Sequence, residues 1–341
     1  MGKTTNILDL NNRLTKVEKE NVPQNNYNSL KNRPKINGNL LTGDKTGAQL
    51  GLAEAQDIGD LSSATTTDKS NVVAMVNELN SIYEGVDLTV KFENEISNYS
   101  DEWEWIQARL DSHNVRDLHV GDYIPINIAA NGGIAAETHK AEIAGINTYR
   151  RTGDSGHEVG YHIDWITRDC YSGTVQFNTS NNNNGNASNS SPFLASNLKS
   201  WLDGTLYGLL DAKLKAVIKA KRILAPYRYQ SGTTLTDDNS WGWQDFDKLW
   251  VPLEGEIFDS LVWSTKGFGN GQAVQYPIFA NSYEHRMKGA GPGGARATWW
   301  TASANSGTST HVVNVYNYGR SHNDGASNAF CVPVCFRTME A

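Results

Sequence analysis

The sequence has little that points to a membrane or to nucleic acid. No apolar run approaches the roughly 20 residues that cross a bilayer, and the N-terminus MGKTTNILDL lacks the apolar core of a signal peptide. There is no basic block, and the net charge is -7 at pH 7, which disfavours phosphate-rich partners. We therefore expect no nucleic-acid binding, no membrane insertion, and synthesis in the cytoplasm of the producing cell.

The sequence is also poor in cysteine, with only Cys170, Cys331 and Cys335. Three cysteines do not make a disulfide framework. If Cys331 and Cys335 lie on one extended strand, their Cα atoms are about 13 Å apart, which is beyond disulfide reach. The cysteines are therefore predicted to be small core residues rather than redox or metal-binding groups.

Sequence patterns of common catalytic sites are missing. The chain has no GxSxG, HExxH, P-loop or paired zinc CxxC motif. The glycine-rich stretch 289–294 follows no obvious strand and begins no clear helix, so it does not predict a phosphate-binding loop. Asp101, Glu102 and Glu104 cluster near a predicted helix start, where the helix dipole stabilises negative charge, so we do not interpret them as paired glycosidase carboxylates. We expect a non-enzyme with no metal or other cofactor.

The first 22 residues carry a short heptad pattern. Ile7, Leu10, Leu14 and Val17 are spaced three, four and three residues apart, which is typical of a coiled-coil seam. Two heptads are too short to be stable as an isolated helix pair, so residues 1–22 are predicted to oligomerise or attach as part of a longer assembly. The alternative is one amphipathic helix packed on its own chain.

Residues 23–62 are predicted to form a fibrous connector. They contain few large apolar groups, and Pro23 and Pro34 exclude a continuous helix. An Asn-Gly turn is predicted at residues 37–38, but the segment buries too little surface to fold unless several copies wind around one axis. Residues 63–92 are predicted to be a helix, over 63–84, followed by a linker.

Residues 93–341 have the pattern of an α+β domain with long loops. One helix is predicted at Asp101 to Ser112, and one or two helices are predicted at Leu194 to Ala220. Strands are predicted at His119 to Ile128, Ala141 to Tyr149, Gly160 to Arg168, Thr174 to Asn178, Leu249 to Leu253, Ser260 to Trp263, Thr298 to Ala302, His311 to Tyr318 and Cys331 to Arg337. Long loops are usually where binding is carried.

The connector and the following helix resemble known proteins. The phrases INGNLLTGDKTGAQLGL, from Ile36 to Leu52, and DIGDLSSATTTDKSNVVAMVNEL, from Asp57 to Leu79, resemble an attachment or shaft module of fibre and baseplate proteins in phages of Gram-positive bacteria. The resemblance implies a virion location, and other virion structural proteins as partners of the N-terminus.

The part from Glu93 to Ala341 resembles uncharacterised domains of such phages and of gut bacteria. The resemblance is carried by Trp105-Ile106 ahead of Val120-Gly121-Asp122, by SNLKSWL from Ser196, by WWTAS from Trp299 and by CVPVCFR from Cys331. It implies a C-type-lectin-like fold, shared with formylglycine-generating enzymes and with variable phage receptor-binding proteins. The usual Gly-Val-Arg-Pro ending is replaced here by Cys331, Val332, Pro333 and Val334.

The candidate receptor-binding region is 299–328. On the strand from His311 to Tyr318, tyrosine and asparagine share one face, and a polar loop follows; tyrosine supplies contact area at low entropic cost, and asparagine adapts its hydrogen bonds. The predicted contact residues are Trp299, Trp300, Asn305, Asn314, Tyr316, Tyr318, Arg320, His322, Asn323 and Asp324. The alternative is that the tyrosines cover the core and that the loop is solvated filler.

Together these patterns predict an elongated homotrimeric virion fibre protein. Its C-terminal loops would bind a glycan or a protein on the host surface, and joining weak sites on one axis would raise avidity. One alternative is a head fibre or decoration protein with a structural or weak-adhesion role. The other is an enzyme of the formylglycine-generating or glycan-active type, which the missing motifs disfavour.

Overall fold

The computed structural model describes residues 35–36, 38–40, 72, 85–183, 191–226, 241–264 and 274–341. The chain divides into two compact units, Met1–Glu78 and Leu79–Ala341. The predicted seam of Ile7, Leu10, Leu14 and Val17 lies outside the described residues, as does the predicted helix at 63–84 apart from Val72, which is helical.

In the first unit, the structure describes a short antiparallel hairpin. Its strands are Lys35–Ile36 (β1) and Asn39–Leu40 (β2). Gly38 between them has a φ of +80°, a left-handed conformation that glycine adopts without a steric penalty. This agrees with the turn predicted at the Asn-Gly pair.

The second unit contains short helices and many strands. The α-helices are α1 (Leu88–Lys91), α2 (Glu93–Ile96), α3 (Glu102–Asp111), α4 (Asn197–Trp201), α5 (Tyr207–Leu209), α6 (Ala212–Val217), α7 (Glu254–Phe258) and α8 (Pro277–Asn281), with a π-helical turn at Leu202–Leu206 and a 3-10 helix at Tyr283–Arg286. The strands are β3 (Tyr123–Ile128), β4 (Glu137–Ile146), β5 (His162–Thr167), β6 (Tyr171–Gln176), β7 (Ile218–Lys219), β8 (Arg222–Pro226), β9 (Trp241–Asp245), β10 (Lys288–Gly289), β11 (Arg296–Ala297), β12 (Trp299–Ala304), β13 (His311–Val315), β14 (Ser321–Gly325), β15 (Ala329–Val332) and β16 (Cys335–Met339).

Two five-stranded sheets form the centre of this unit. The first has the order β3-β4-β5-β16-β7, and the second has the order β14-β13-β12-β15-β6. Their paired strands are antiparallel, except that β12 and β15 run parallel. Two further pairs, β8-β9 and β10-β11, lie outside these sheets. The α+β class predicted from the sequence is confirmed.

Two short passages connect the sheets, one from β5 to β6 and one from β15 to β16, and longer passages run from β6 to β7 and from β7 to β12. The passage from β15 to β16 corrects the prediction of one closing strand from Cys331 to Arg337. Cys331 pairs with Trp299 in the second sheet, and Cys335 pairs with Ile166 in the first. Pro333 between them has no N–H to donate to a strand ladder, so the strand is interrupted there.

Two other predicted strands are absent. Residues 249–253 and 260–263 form no strand; Trp250, and Ser264 directly after the second range, make only isolated bridges. Of the one or two helices predicted at 194–220, the structure has two: the first ends at α5, and Asp211 caps the second by accepting from the N–H of Lys213. Predicted helix 101–112 is confirmed as α3, whose N-terminus is capped by Asp101.

The core is aromatic, and the three cysteines are part of it. Among its largest fully buried side chains are Trp105, Trp165, Trp250, Trp299 and Trp300. Cys170, Cys331 and Cys335 are all free and buried, which agrees with their prediction as core residues. Burying each large side chain contributes about 1.5–3 kcal/mol relative to exposing it.

A buried ion pair joins the middle strands of the first sheet. Asp164 on β5 lies directly opposite Arg337 on β16. Arg337 donates from Nε to Oδ1 at 2.7 Å and from Nη2 to Oδ2 at 2.8 Å, and both side chains are 0% exposed. Burial alone would raise the pKa of Asp164, but the charge and hydrogen bonds of Arg337 lower it to about 2.

A second buried ion pair, Lys221 with Glu256, lies in the same core. The Lys221 ammonium is 3.7 Å from the centroid of the Trp250 ring. The two pairs are connected by tyrosines: Tyr276 donates its hydroxyl to Asp164 at 2.9 Å, and Tyr149 donates its hydroxyl to Glu256 at 2.7 Å. Buried charges require this degree of pairing, because each one has lost its water.

His162 lies beside this network in its neutral form. Its Nδ1 donates to the carbonyl of Gly160 at 2.9 Å, and its Nε2 accepts from the N–H of Tyr149 at 3.2 Å. Only a neutral ring can make both contacts. Burial and the nearby charge of Arg337 lower the pKa of His162 to about 4.

Replacing Asp164→Asn will strongly destabilise the second unit. The change leaves the buried Arg337 charge without a counter-ion, which costs about 3–5 kcal/mol, and we expect urea titration to measure that loss in the free energy of unfolding. Asp154→Asn is the matched control, because Asp154 binds Arg222 at the same hydrogen-bond distances on the surface. The control loss should be much smaller; equal losses would refute the role of burial.

Stability should fall as the pH drops below 6.5 because of His162. The folded state holds this ring neutral down to about pH 4, whereas the unfolded ring binds a proton near pH 6.5. The contribution is therefore complete above pH 6.5 and decreases by about 2 kcal/mol from pH 7.5 to pH 5. Unfolding free energies across this range should show a shallower pH slope for His162→Gln. The control is His157→Gln at an exposed histidine; a slope unchanged in both variants would contradict the assignment.

Candidate functional site

The candidate site is built on the hairpin formed by β13 and β14. The strands pair from His311 opposite Gly325 to Val315 opposite Ser321. The N–H of Tyr316 donates to the carbonyl of Arg320 at 2.9 Å, and the N–H of Gly319 donates back to the carbonyl of Tyr316 at 2.7 Å. We call residues 316–320 the hairpin tip.

Charged and polar side chains share one face of this hairpin. Cross-strand partners point to the same side of a sheet, and so do alternate residues of one strand. Asn314 is opposite His322, so His322 and Asp324 lie on one face of β14, and Arg320 in the tip precedes His322 by two residues. Since β14 is the edge strand of its sheet, these groups lie at a border of the domain surface.

Tyr283 holds the hairpin tip from a different part of the chain. It belongs to the 3-10 helix, and its hydroxyl donates to the carbonyl of Tyr318 at 2.6 Å. Gly319 has a φ of +84°, and a Cβ atom there would lie 3.1 Å from the Tyr283 ring. A glycine is therefore needed both for the backbone conformation and for the approach of the ring.

The tip presents aromatic rings and one cation to solvent. Tyr318 is 48% exposed and Tyr283 is 52% exposed. The Tyr316 and Tyr318 rings meet edge to face with centroids 4.7 Å apart. The Arg320 guanidinium carbon lies 5.1 Å from the Tyr316 ring centroid and 5.3 Å from that of Tyr318, within the range of cation–π attraction.

Asp324 organises the polar end of the same face. Its Oδ2 accepts from Asn314 Nδ2 at 2.9 Å, and His322 Nδ1 lies 3.1 Å from the same oxygen. His322 also contacts the Tyr316 ring, with centroids 5.2 Å apart. The side chains of His322 and Asp324 are about one third exposed. Aromatic and polar groups thus form one continuous surface.

Four of the ten predicted contact residues are buried. Trp299 and Trp300 are 0% exposed, and their indole N–H groups donate to the carbonyls of Arg286 and Val175. Asn305 is buried and accepts from the N–H of Gly307, and Asn314 is fully buried. Their burial does not agree with the prediction that these four residues contact a receptor directly. They lie in the interior and support the hairpin. Tyr316, Tyr318, Arg320, His322, Asn323 and Asp324 do reach the surface.

Glu254 is a supporting residue that sequence reasoning missed. Its buried carboxylate accepts from the Ser321 hydroxyl at 2.6 Å, from the Ser264 hydroxyl at 2.7 Å and from the N–H of Trp263. It therefore ties α7 and residues 263–264 to the first residue of β14. Glu254 and Tyr283 act on partners 67 and 35 residues away, and no local pattern could have identified them.

The glycine-rich stretch 289–294 binds the protein's own carboxylate. The N–H groups of Gly289 and Gly293 donate to Asp169 at 2.8 and 3.1 Å, and that of Gly291 donates to the carbonyl of Cys170 at 3.0 Å. These donors are therefore occupied, in agreement with the expectation that the stretch does not cradle a phosphate.

The described part of the chain shows neither a reactive cysteine site nor a metal site. Burial raises the pKa of the Cys170 and Cys335 thiols, which keeps them protonated and weakly nucleophilic. No three or more histidine, cysteine, aspartate and glutamate side chains are grouped as metal ligands among the described residues. Within the same residues, no helix has the length and apolarity to span a bilayer.

The fold and the site define an α+β protein of two connected sheets that carries a rigid aromatic hairpin at one sheet edge. The model of a domain of unknown function, DUF6273, matches residues 165–338, which is over half of the chain. The chain belongs to the DUF6273 family. The matched range contains the Lys221–Glu256 pair, Arg337 and the whole hairpin, and it begins directly after Asp164. No curated protein and no solved structure shows significant similarity to the chain.

Removing the Tyr283 hydroxyl should loosen the hairpin tip without unfolding the domain. The substitution Tyr283→Phe loses one hydrogen bond, worth about 0.5–1.5 kcal/mol, and keeps the ring against Gly319. We expect faster amide hydrogen exchange at the tip and an almost unchanged melting temperature. The control is Tyr99→Phe at another exposed tyrosine, which should leave exchange at the tip as it was. Unchanged exchange in Tyr283→Phe would contradict the clamp.

Proposed function

We propose that this protein is a virion fibre protein that binds a receptor on the host surface through the hairpin tip. The N-terminal residues 1–92 would attach to other virion proteins and hold three copies together, and residues 93–341 would form a C-type-lectin-like binding domain. This proposal joins the phage-fibre resemblance of residues 36–79 to the surface described above.

The observation that carries the proposal is the exposure of Tyr318 and Arg320 on a clamped turn. Interfaces derive much of their affinity from tyrosine and arginine. Here the turn is fixed by its own hydrogen bond and by Tyr283, so little conformational entropy remains to be lost on binding. Exposed aromatic groups on a rigid element are the usual composition of a recognition surface.

The assignment of a binding role rather than a catalytic one rests on chemistry. The face of the hairpin that carries His322 and Asp324 has no serine, threonine or cysteine side chain, and the Ser321 hydroxyl on the opposite face donates to the buried carboxylate of Glu254. The thiols that a formylglycine-type reaction would need are buried, and burial raises the pKa of those of Cys170 and Cys335. These features support recognition as the function of the surface.

The N-terminal part of the proposal rests on sequence. The seam of Ile7, Leu10, Leu14 and Val17 favours association of parallel helices, and the connector favours winding of several copies. If each tip binds weakly, a trimer presents three tips to one cell surface, and the effective concentration of the second and third tips raises the overall affinity.

The full-length protein should bind host-surface saccharides on a glycan array, and Tyr318→Ala should weaken that binding at least tenfold. Loss of a central aromatic contact typically costs about 2 kcal/mol or more, which corresponds to a loss of affinity of about thirtyfold. Tyr99→Ala removes a comparably exposed ring elsewhere and should have no effect. Equal binding by all three proteins would contradict the role of the tip, and binding to no cell-surface molecule would favour a purely structural role in the virion.

A further inference from the structure

We propose that the receptor is an acidic saccharide, whose anionic group binds Arg320 while its hydroxyl groups extend toward Asp324. The anionic group is a carboxylate or a phosphate ester, since a guanidinium pairs with either. This inference rests on the proposed function and names the class of ligand for the same surface.

Arg320 is prepared for an anion. It is exposed, and in the described part of the chain no carboxylate forms an ion pair with it. Its guanidinium lies near two tyrosine rings, which restrict its position. A planar, restrained guanidinium loses less entropy than a mobile lysine when it binds an oxyanion through two hydrogen bonds.

Four arginines of the described part of the domain, Arg109, Arg168, Arg222 and Arg337, already have acidic partners. Arg337 binds Asp164, and Arg222 binds both Asp154 and Asp245. In those side chains the charge stabilises the fold, and the neighbouring carboxylates would repel an incoming anion. The charge of Arg320 is not compensated in this way, which makes it suited to a ligand.

The face of β14 is also polar along its length. His322 and Asp324 alternate on it, and Arg320 precedes His322 by two residues. At about 3.3 Å per residue the Cα atoms of Arg320 and Asp324 are about 13 Å apart, and the two side chains form no ion pair. A carboxylate only accepts hydrogen bonds, so this end of the face suits hydroxyl donors. The Tyr316 ring contacts both Arg320 and His322 and suits the apolar face of a sugar.

Neighbouring carboxylates do not neutralise the charge of Arg320. Glu254 contacts β14 through Ser321, which follows Arg320 directly and so points to the opposite face. The carboxylate oxygens of Glu254 already accept hydrogen bonds from Ser321, Ser264 and Trp263. Glu284, beside Tyr283 in the 3-10 helix, lies 3.5 Å from Arg168. Both carboxylates therefore have partners other than Arg320.

Titration calorimetry of the full-length protein with matched saccharides tests the inference. The ligands are an oligosaccharide bearing uronic acid, the same chain with the carboxylate reduced to the alcohol, and a phosphorylated oligosaccharide with its dephosphorylated form. We expect each acidic member to bind at least tenfold more tightly than its neutral partner, with affinity that falls as salt rises. The acidic oligosaccharide that binds more tightly shows whether the anionic group of the receptor is a carboxylate or a phosphate.

The variant Arg320→Gln should remove this preference, whereas Arg296→Gln, at another exposed arginine, should keep it. The inference is overturned if neutral and acidic saccharides bind equally and Arg320→Gln has no effect. In that case a loss of binding in Tyr318→Ala would still support receptor binding at the tip. If only a protein receptor binds the tip, the saccharide inference fails and the proposed function remains. If neither saccharide nor protein binds, both fail.

Discussion

The buried pair of Asp164 and Arg337 is the constraint on which the rest of the domain depends. It joins β5 to β16, whose sequences are separated by 173 residues, and so fixes the chain end in the middle of the first sheet. Because β15 directly precedes β16 and belongs to the second sheet, the same pair also fixes the connection between the sheets. Its value lies in specifying this arrangement more than in net stability, since burying two charges offsets much of their attraction.

The candidate binding surface is an extension of that core. Trp299 and Trp300 anchor β12 in the aromatic interior, β13 pairs with β12, and β14 is added at the edge. Glu254 and Tyr283 then hold the tip end of the hairpin from separate elements, through Ser321 and Tyr318. Rigid support of a few exposed side chains is a common way in which a stable scaffold carries recognition.

Local patterns predicted the elements whose signals are local. The N-cap of Asp101, the helix α3 and strands β3 to β6 follow from capping residues and short apolar runs, and the structure has them within a few residues. The break at Pro333 was missed because an apolar sequence on both sides of a proline looks continuous. The strand predicted at 260–263 is absent because the carboxylate that organises residues 263–264 belongs to Glu254, whose role depends on tertiary contacts.

The sequence by itself determined the α+β class, the buried cysteines, the absence of common catalytic motifs and the region that carries the hairpin. Only the tertiary structure decided which of its aromatic residues are interior and which are exposed. Trp299 and Tyr318 are both large aromatic residues within one polar region, and the sequence pattern treats them alike. Their difference comes from packing: Trp299 lies under Phe279 and donates to Arg286, while Tyr318 occupies a turn that a distant tyrosine holds at the surface.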